Sequence, residues 1–122
     1  MTLALLLSLG GCVYYNTFYN AKKRYEEAEW KRLEAEADLK NRGLKNVYRN
    51  LYLAVIRKAS SVLQFHPDSD WVDDSLILIG KSYYWREEYS QAIQKFGELQ
   101  DNFPESQFVN ESIYWESLAL WG

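Results

Sequence analysis

The chain has two prolines, Pro67 and Pro104, and the residues around them repeat at a separation of 37. His66-Pro67-Asp68-Ser69 aligns with Phe103-Pro104-Glu105-Ser106. At the same offset Tyr52 meets Tyr89, Ile56 meets Ile93, Trp71 meets Phe108, Asp74 meets Glu111 and Ser75 meets Ser112. The residue before a proline is pushed out of the helical region, so each proline marks the end of a helix. A repeat of this length suits a pair of helices. One helix pair cannot bury its own apolar face, so such pairs gain stability by stacking on their neighbours.

The segments between the breaks read as helices. From about Phe18 the apolar positions Phe18, Ala21, Tyr25 and Ala28 recur at spacings of three and four. Glu26 to Lys40 is rich in strong helix formers, and the Glu/Lys-rich stretch from Lys22 to Lys40 reads as a solvated helix face. Asn41-Arg42-Gly43 reads as a stop with glycine at the cap. A second helix carries one wide apolar stripe from Leu44 through Val47, Leu51, Val55, Ala59 and Val62 to Leu63. Asp68-Ser69-Asp70 offers a cap for a third helix, from about Trp71 to Trp85. Asp73 and Asp74 in its first turn suit the positive end of the helix dipole. Arg86-Glu87-Glu88 is a short connection, a fourth helix runs from about Tyr89 to Asn102, and a fifth starts near Phe108 and still runs at Gly122. No strand pattern is present. The expectation is an all-α solenoid of helical hairpins with about five helices, incomplete at its C-terminus.

Asp73 to Pro104 resembles the tetratricopeptide repeat. Gly80 and Tyr83 fall at that pattern's glycine and tyrosine, Ala92 and Phe96 at its alanine and aromatic, and Pro104 at its closing proline. Leu76 replaces the pattern's tryptophan and Ile79 its leucine, and Leu99 stands where a small alanine is usual. In the preceding repeat only Val55, Ala59 and Pro67 occupy the second-helix positions. Three extra residues follow each proline compared with the 34-residue form. That spacing is similar to the repeats of outer-membrane assembly lipoproteins of the BamD type and of periplasmic cell-division coordinators. The resemblance covers roughly residues 50 to 122. It implies a fold that holds other proteins.

The N-terminus adds a second resemblance. Leu9-Gly10-Gly11-Cys12 follows a short apolar run and is similar to the bacterial lipobox. The run is too short to span a bilayer but has the length of a signal-peptide core. The resemblance implies a signal peptide over residues 1–11, lipidation of Cys12, a lipid-anchored segment with the first helix over 12–43, and repeats over 44–122. Several acyl chains on one residue hold a soluble domain on a membrane. No Lys or Arg precedes Cys12, although signal peptides begin with one, which places the true start upstream of Met1. Val13 follows the cysteine where an inner-membrane retention signal would carry Asp, which favours the outer membrane, facing the periplasm.

Other chemistries find little footing. The 14 basic and 17 acidic residues give a net charge of -3, with no basic footprint for nucleic acid and no polybasic patch for lipid. His66 is the sole histidine, so no histidine-based triad or metal site forms within the chain. Asp68, Asp70, Asp73 and Asp74 lack the glycine turn and closing glutamate of a calcium loop. No phosphate-binding glycine loop is present. The expectation is no enzyme, no cofactor and no metal, but a membrane-anchored scaffold for envelope proteins or peptides, in outer-membrane protein assembly or envelope maintenance. The alternative is an adaptor or targeting part of an envelope enzyme whose catalytic domain lies beyond Gly122.

At 100° per residue, Leu76, Ile79, Gly80 and Tyr83 share the core side of the third helix. Asp74, Ile77, Lys81, Tyr84 and Trp85 fall on another stripe, which the tetratricopeptide resemblance places in the concave groove. Glu111, Tyr114, Leu118 and Trp121 continue it at the 37-residue offset. Aromatics with a few charges are the usual composition of a binding hot spot. A second use is open to Tyr84 and Trp85, packing against a neighbouring loop or the first helix. Ile113, Trp115, Leu118 and Trp121 leave the last helix with large apolar residues and no helix to pack on, which reads as a fragment.

Overall fold

The computed structural model describes the backbone from Thr2 to Gly122 and the side chains from Tyr15 onward. The Cys12 side chain and the chemistry of the expected signal peptide therefore lie outside the described residues. Among the described residues every element is a helix: α1 (Thr2–Ala37), α2 (Gly43–Phe65), α3 (Val72–Trp85), α4 (Tyr89–Asn102) and α5 (Val109–Trp121). None is long and apolar enough to cross a membrane.

Each helix packs on the next in sequence. The odd-numbered helices also touch one another, α1 against α3 and α3 against α5, whereas α2 and α4 do not meet. The chain thus has one side on which α1, α3 and α5 stand in a row. The core is a series of interfaces between successive helices. Phe18, Tyr25 and Ala28 of α1 meet Tyr52, Val55 and Val62 of α2, and Ile56 and Ala59 of α2 meet Ile79 of α3. Leu76 and Ile77 of α3 meet Ala92, Phe96 and Leu99 of α4, together with Ala119 of α5. Removing such side chains from water is the main favourable contribution to folding, about 1.5–3 kcal/mol for each large one.

The two proline corners have the same backbone. His66 ends α2 at φ -135, ψ 51, and Phe103 ends α4 at φ -132, ψ 57. Trp71 precedes α3 at φ -102, ψ 8, and Phe108 precedes α5 at φ -93, ψ -1. The His66 amide donates to Val62 O at 2.9 Å, and the Phe103 amide donates to Leu99 O at 2.9 Å. The Ser69 amide donates to His66 O as the Ser106 amide donates to Phe103 O. The two corners, 37 residues apart, therefore share their backbone conformation and hydrogen bonds.

Gly80 shows why a glycine suits its position. A Cβ there would clash with Cε1 of Phe96, so the missing side chain lets the Phe96 ring lie against the α3 backbone. Ala92 is fully buried in the same interface.

Four local expectations need correction. The periodicity predicts a helix from about Phe18, but α1 already includes the uncharged aromatic segment before it. Gly43 is the first residue of α2 and not a cap. The turn is closed without it, because the Asn41 amide donates to Asp38 O and the Leu44 amide to Asn41 O. No described glycine has positive φ. Asp68, Ser69 and Asp70 do not cap α3, whose N-cap residue is Trp71 with no side-chain cap bond. Asp73 instead ties the two corners together, its Oδ2 accepting from Ser106 Oγ at 2.6 Å. Finally, the Glu/Lys-rich face of α1 is not all solvated. Arg32 is 9% exposed and continues the buried stripe of Ala21, Tyr25 and Ala28.

Candidate functional site

The row of odd helices holds a half-open cavity of about 270 Å³. Its α3 wall presents Asp74, Ile77 and Lys81, and α5 contributes Glu111. These are four of the residues that the stripe argument singled out, and the structure brings them together. The α1 side adds Phe18 and Lys22, and the two corners add Trp71 and Phe108. Sequence reasoning did not assign these four to the site. Phe18 was legible as part of an apolar stripe, but nothing local indicates that α1 lies across α3.

The cavity has an apolar floor with charges along its edges. Ile77 is 4% exposed, so it forms floor and core at once. Phe18 stacks on Trp71, with centroids 5.1 Å apart and planes 14° from parallel. Lys81 bridges α3 and α5 through a 3.0 Å ion pair with Glu111. Its ammonium also sits 5.1 Å from the Tyr25 ring centroid and 5.4 Å from that of Trp115. Both are within cation–π range. Burial pushes the Asp74 carboxyl up to about 6, and the charge of Asp73 beside it adds to the shift, with Lys22 pulling the other way.

The remaining stripe residues gather one to two turns further along. Tyr84 lies 5.0 Å from Trp85, 5.7 Å from Tyr89 and 5.2 Å from Trp115, centroid to centroid, all in edge-to-face geometry. Trp85 also meets Trp115 at 5.7 Å. On its other side it carries Arg32 of the first helix, 3.8 Å above its ring. Of the two uses open to Trp85, packing against the first helix is therefore realised. Tyr84 is likewise half-buried among rings. Tyr114 continues the cluster through Trp115 at 6.0 Å and is 60% exposed. Leu118 is half-buried, and its carbonyl accepts from the Gly122 amide at the helix end.

The arrangement suits binding. An apolar floor edged by acidic and basic groups can seat an apolar side chain and orient polar neighbours. Among the described residues no group of three or more His, Cys, Asp and Glu is placed to hold a metal ion. No protein-family model matches the chain, and no curated protein or solved structure matches it either.

Proposed function

We propose that this chain is a lipid-anchored interaction scaffold of the bacterial envelope, a tetratricopeptide-type solenoid that holds an extended or helical segment of another protein across the α1–α3–α5 face. The observation that carries the reading is the cavity between those helices, where Asp74, Lys81 and Glu111 edge an apolar floor on Ile77. The matching corners at Pro67 and Pro104 support the solenoid. They let one hairpin be stacked on the next with the odd helices on one side. Leu9-Gly10-Gly11-Cys12 supports the anchor and the periplasmic side of the outer membrane. In this reading the protein catalyses nothing, and its partners are envelope proteins or peptides.

Two variants test the halves separately. Expressed in bacteria with a complete signal peptide, the protein partitions into detergent and Cys12→Ser releases it; a serine variant that stays equally membrane-bound removes the anchor from the account. For the groove, Lys22→Glu with Tyr114→Ser alters two exposed side chains on the proposed face. The double variant keeps its helical circular dichroism and loses the proteins that the wild type captures from solubilised envelopes. If it keeps all of them, the groove is not the binding site.

A further inference from the structure

The first two helices carry a surface that the groove does not use. Phe18 of α1 and Val62 of α2 share one core cluster, so residues 15–24 stand beside residues 57–65. Together these stretches hold five basic residues, Lys22, Lys23, Arg24, Arg57 and Lys58, and no acidic one. Asn20, Lys23, Arg24 and Lys58 line one half-open cavity of about 310 Å³, together with Glu27. Arg24 takes up Glu27 in an exposed pair at 2.7 Å. Lys23 and Lys58 form no ion pair among the described residues. The sequence alone shows no polybasic patch, because this one needs both helices.

Exposed aromatics lie beside the cations. Tyr15, Tyr19 and Phe65 are 48%, 46% and 66% exposed, and the two tyrosine rings stack with centroids 5.8 Å apart. Tyr15, Tyr19 and Lys23 stand at i, i+4 and i+8, so they form one stripe on α1. At about 1.5 Å per residue, Tyr15 is about 5 Å along α1 from Cys12 and Lys23 about 16 Å. The acids of this end, Asp68 and Asp70, lie in the corner that leads to α3, where Asp70 shares a cavity with Pro104. The end therefore has a basic, aromatic side and an acidic side.

The position of this surface says what meets it. α5 does not touch α1 among the described residues, so chain beyond Gly122 continues from the far side of α3. In the anchored protein Cys12 is the first residue, and its acyl chains enter the bilayer within one helical turn of Tyr15. Tyrosine rings settle at headgroup level, and clustered Lys and Arg attract anionic lipid within a Debye length, about 8 Å. We propose that this end of the α1–α2 hairpin seats the anchored chain on an anionic phospholipid surface, with Tyr15, Tyr19 and Phe65 in the headgroup layer and Lys23, Arg24 and Lys58 over the phosphates. The inference rests on the lipid anchor of the proposed function. It adds that the chain is held tilted at the bilayer and does not swing freely from its acyl chains.

The test uses the full chain, shown by mass spectrometry to be acylated on Cys12, in vesicles of phosphatidylcholine with phosphatidylglycerol. Cys12 is the sole cysteine, so Phe65→Cys supplies one free thiol for an environment-sensitive label. Val47→Cys, at the other end of α2, is the control. Brominated lipid quenches the label at position 65 and not at position 47. Lys23→Glu with Lys58→Glu lowers the ratio of seated to free chain about tenfold or more, as do vesicles of phosphatidylcholine alone. Lys40→Glu with Arg42→Glu changes nothing, and the circular dichroism is the same throughout. Three results overturn the inference and leave the anchor standing. One is an acylated chain that is not quenched at position 65. Another is quenching that survives charge reversal or neutral lipid, which marks nearness to the acyl chains alone. The third is a label shielded from water but out of reach of the lipid, which marks a second copy of the chain on this surface. A chain with no acyl group on Cys12 removes the anchor, and the inference with it.

Discussion

The guanidinium of Arg32 lies over the ring of Trp85, 3.8 Å from its centroid, and so joins the first helix to the end of the third. The same group donates to Glu29 at 3.0 Å, to Glu36 at 2.6 Å and to the Tyr52 hydroxyl at 3.3 Å. Tyr52 in turn donates to Glu29. Burial alone would lower the Arg32 pKa, but the hydrogen bonds it donates to Glu29 and Tyr52 hold it above its ordinary value. Burial and Glu29 likewise push the Tyr52 phenol up. One cation thereby satisfies polar groups from α1 and α2 beneath an aromatic ring of α3.

Removing that cation leaves Glu29 and Tyr52 short of a partner at a helix interface. Arg32→Ala is therefore expected to cost about 1–3 kcal/mol, the range for leaving partly buried polar groups without a partner. Arg24 makes a geometrically similar pair with Glu27, but with side chains 39% and 50% exposed, where a change is usually within about 0.5 kcal/mol. Urea unfolding of the two variants compares them directly, and equal costs would mean that the network adds nothing.

The α3–α4 interface has little room to spare. Ala92→Leu overpacks it, at about 1–3 kcal/mol. Gly80→Ala forces the Phe96 ring aside and is expected to cost a similar amount, about 1–3 kcal/mol. Gly97 has nothing within 4 Å of where its Cβ would stand, so Gly97→Ala at mid-helix should stabilise by about 0.5–1 kcal/mol. Thermal melts in which Gly80→Ala and Gly97→Ala behave alike would refute this packing.

Asp74 makes the stability depend on pH. Folded, it keeps its proton up to about 6, whereas its ordinary pKa is 3.8. Between those values the folded state binds more protons than the unfolded one, so stability falls as pH rises through the window. The carboxyl is partly solvated, and after solvent screening the effect is on the order of 1 kcal/mol. Asp74→Asn should be more stable than the wild type above pH 6, and the difference should close toward pH 4. A difference that is constant with pH would exclude Asp74 as its source.

The sequence made the helices legible where a stop is chemical. Pro67 and Pro104 fix the ends of α2 and α4, and the apolar periodicity finds most of the buried face of α2, though Val47 on it is exposed; α3 is covered on more than the side the periodicity picks out, with Ile77 and Leu78 buried beside Leu76. It failed where distant residues decide. Arg32 looks solvated among glutamates and lysines until Tyr52 and Trp85 close over it. α1 continues through the uncharged segment before Phe18, which has few helix-favouring residues, and Phe18 itself stacks on Trp71. The groove was half readable for the same reason. Asp74, Ile77, Lys81 and Glu111 follow from helical geometry and the repeat, whereas Phe18, Lys22, Trp71 and Phe108 enter only because α1 and the corners fold across α3. Of the two uses open to Trp85, the packing on the first helix depends on Arg32, which lies 53 positions away in the chain.

The central claim is that partners are held on the side where α1, α3 and α5 stand in a row. Photo-crosslinking from single positions in the native envelope tests it most directly. A photoreactive residue at Lys22 or Tyr114, both exposed on that side, should trap a discrete partner. The same residue at Gln91 or Gln94, exposed on α4, should trap none. Equal crosslinking from all four positions, or crosslinking from α4 alone, would contradict the account.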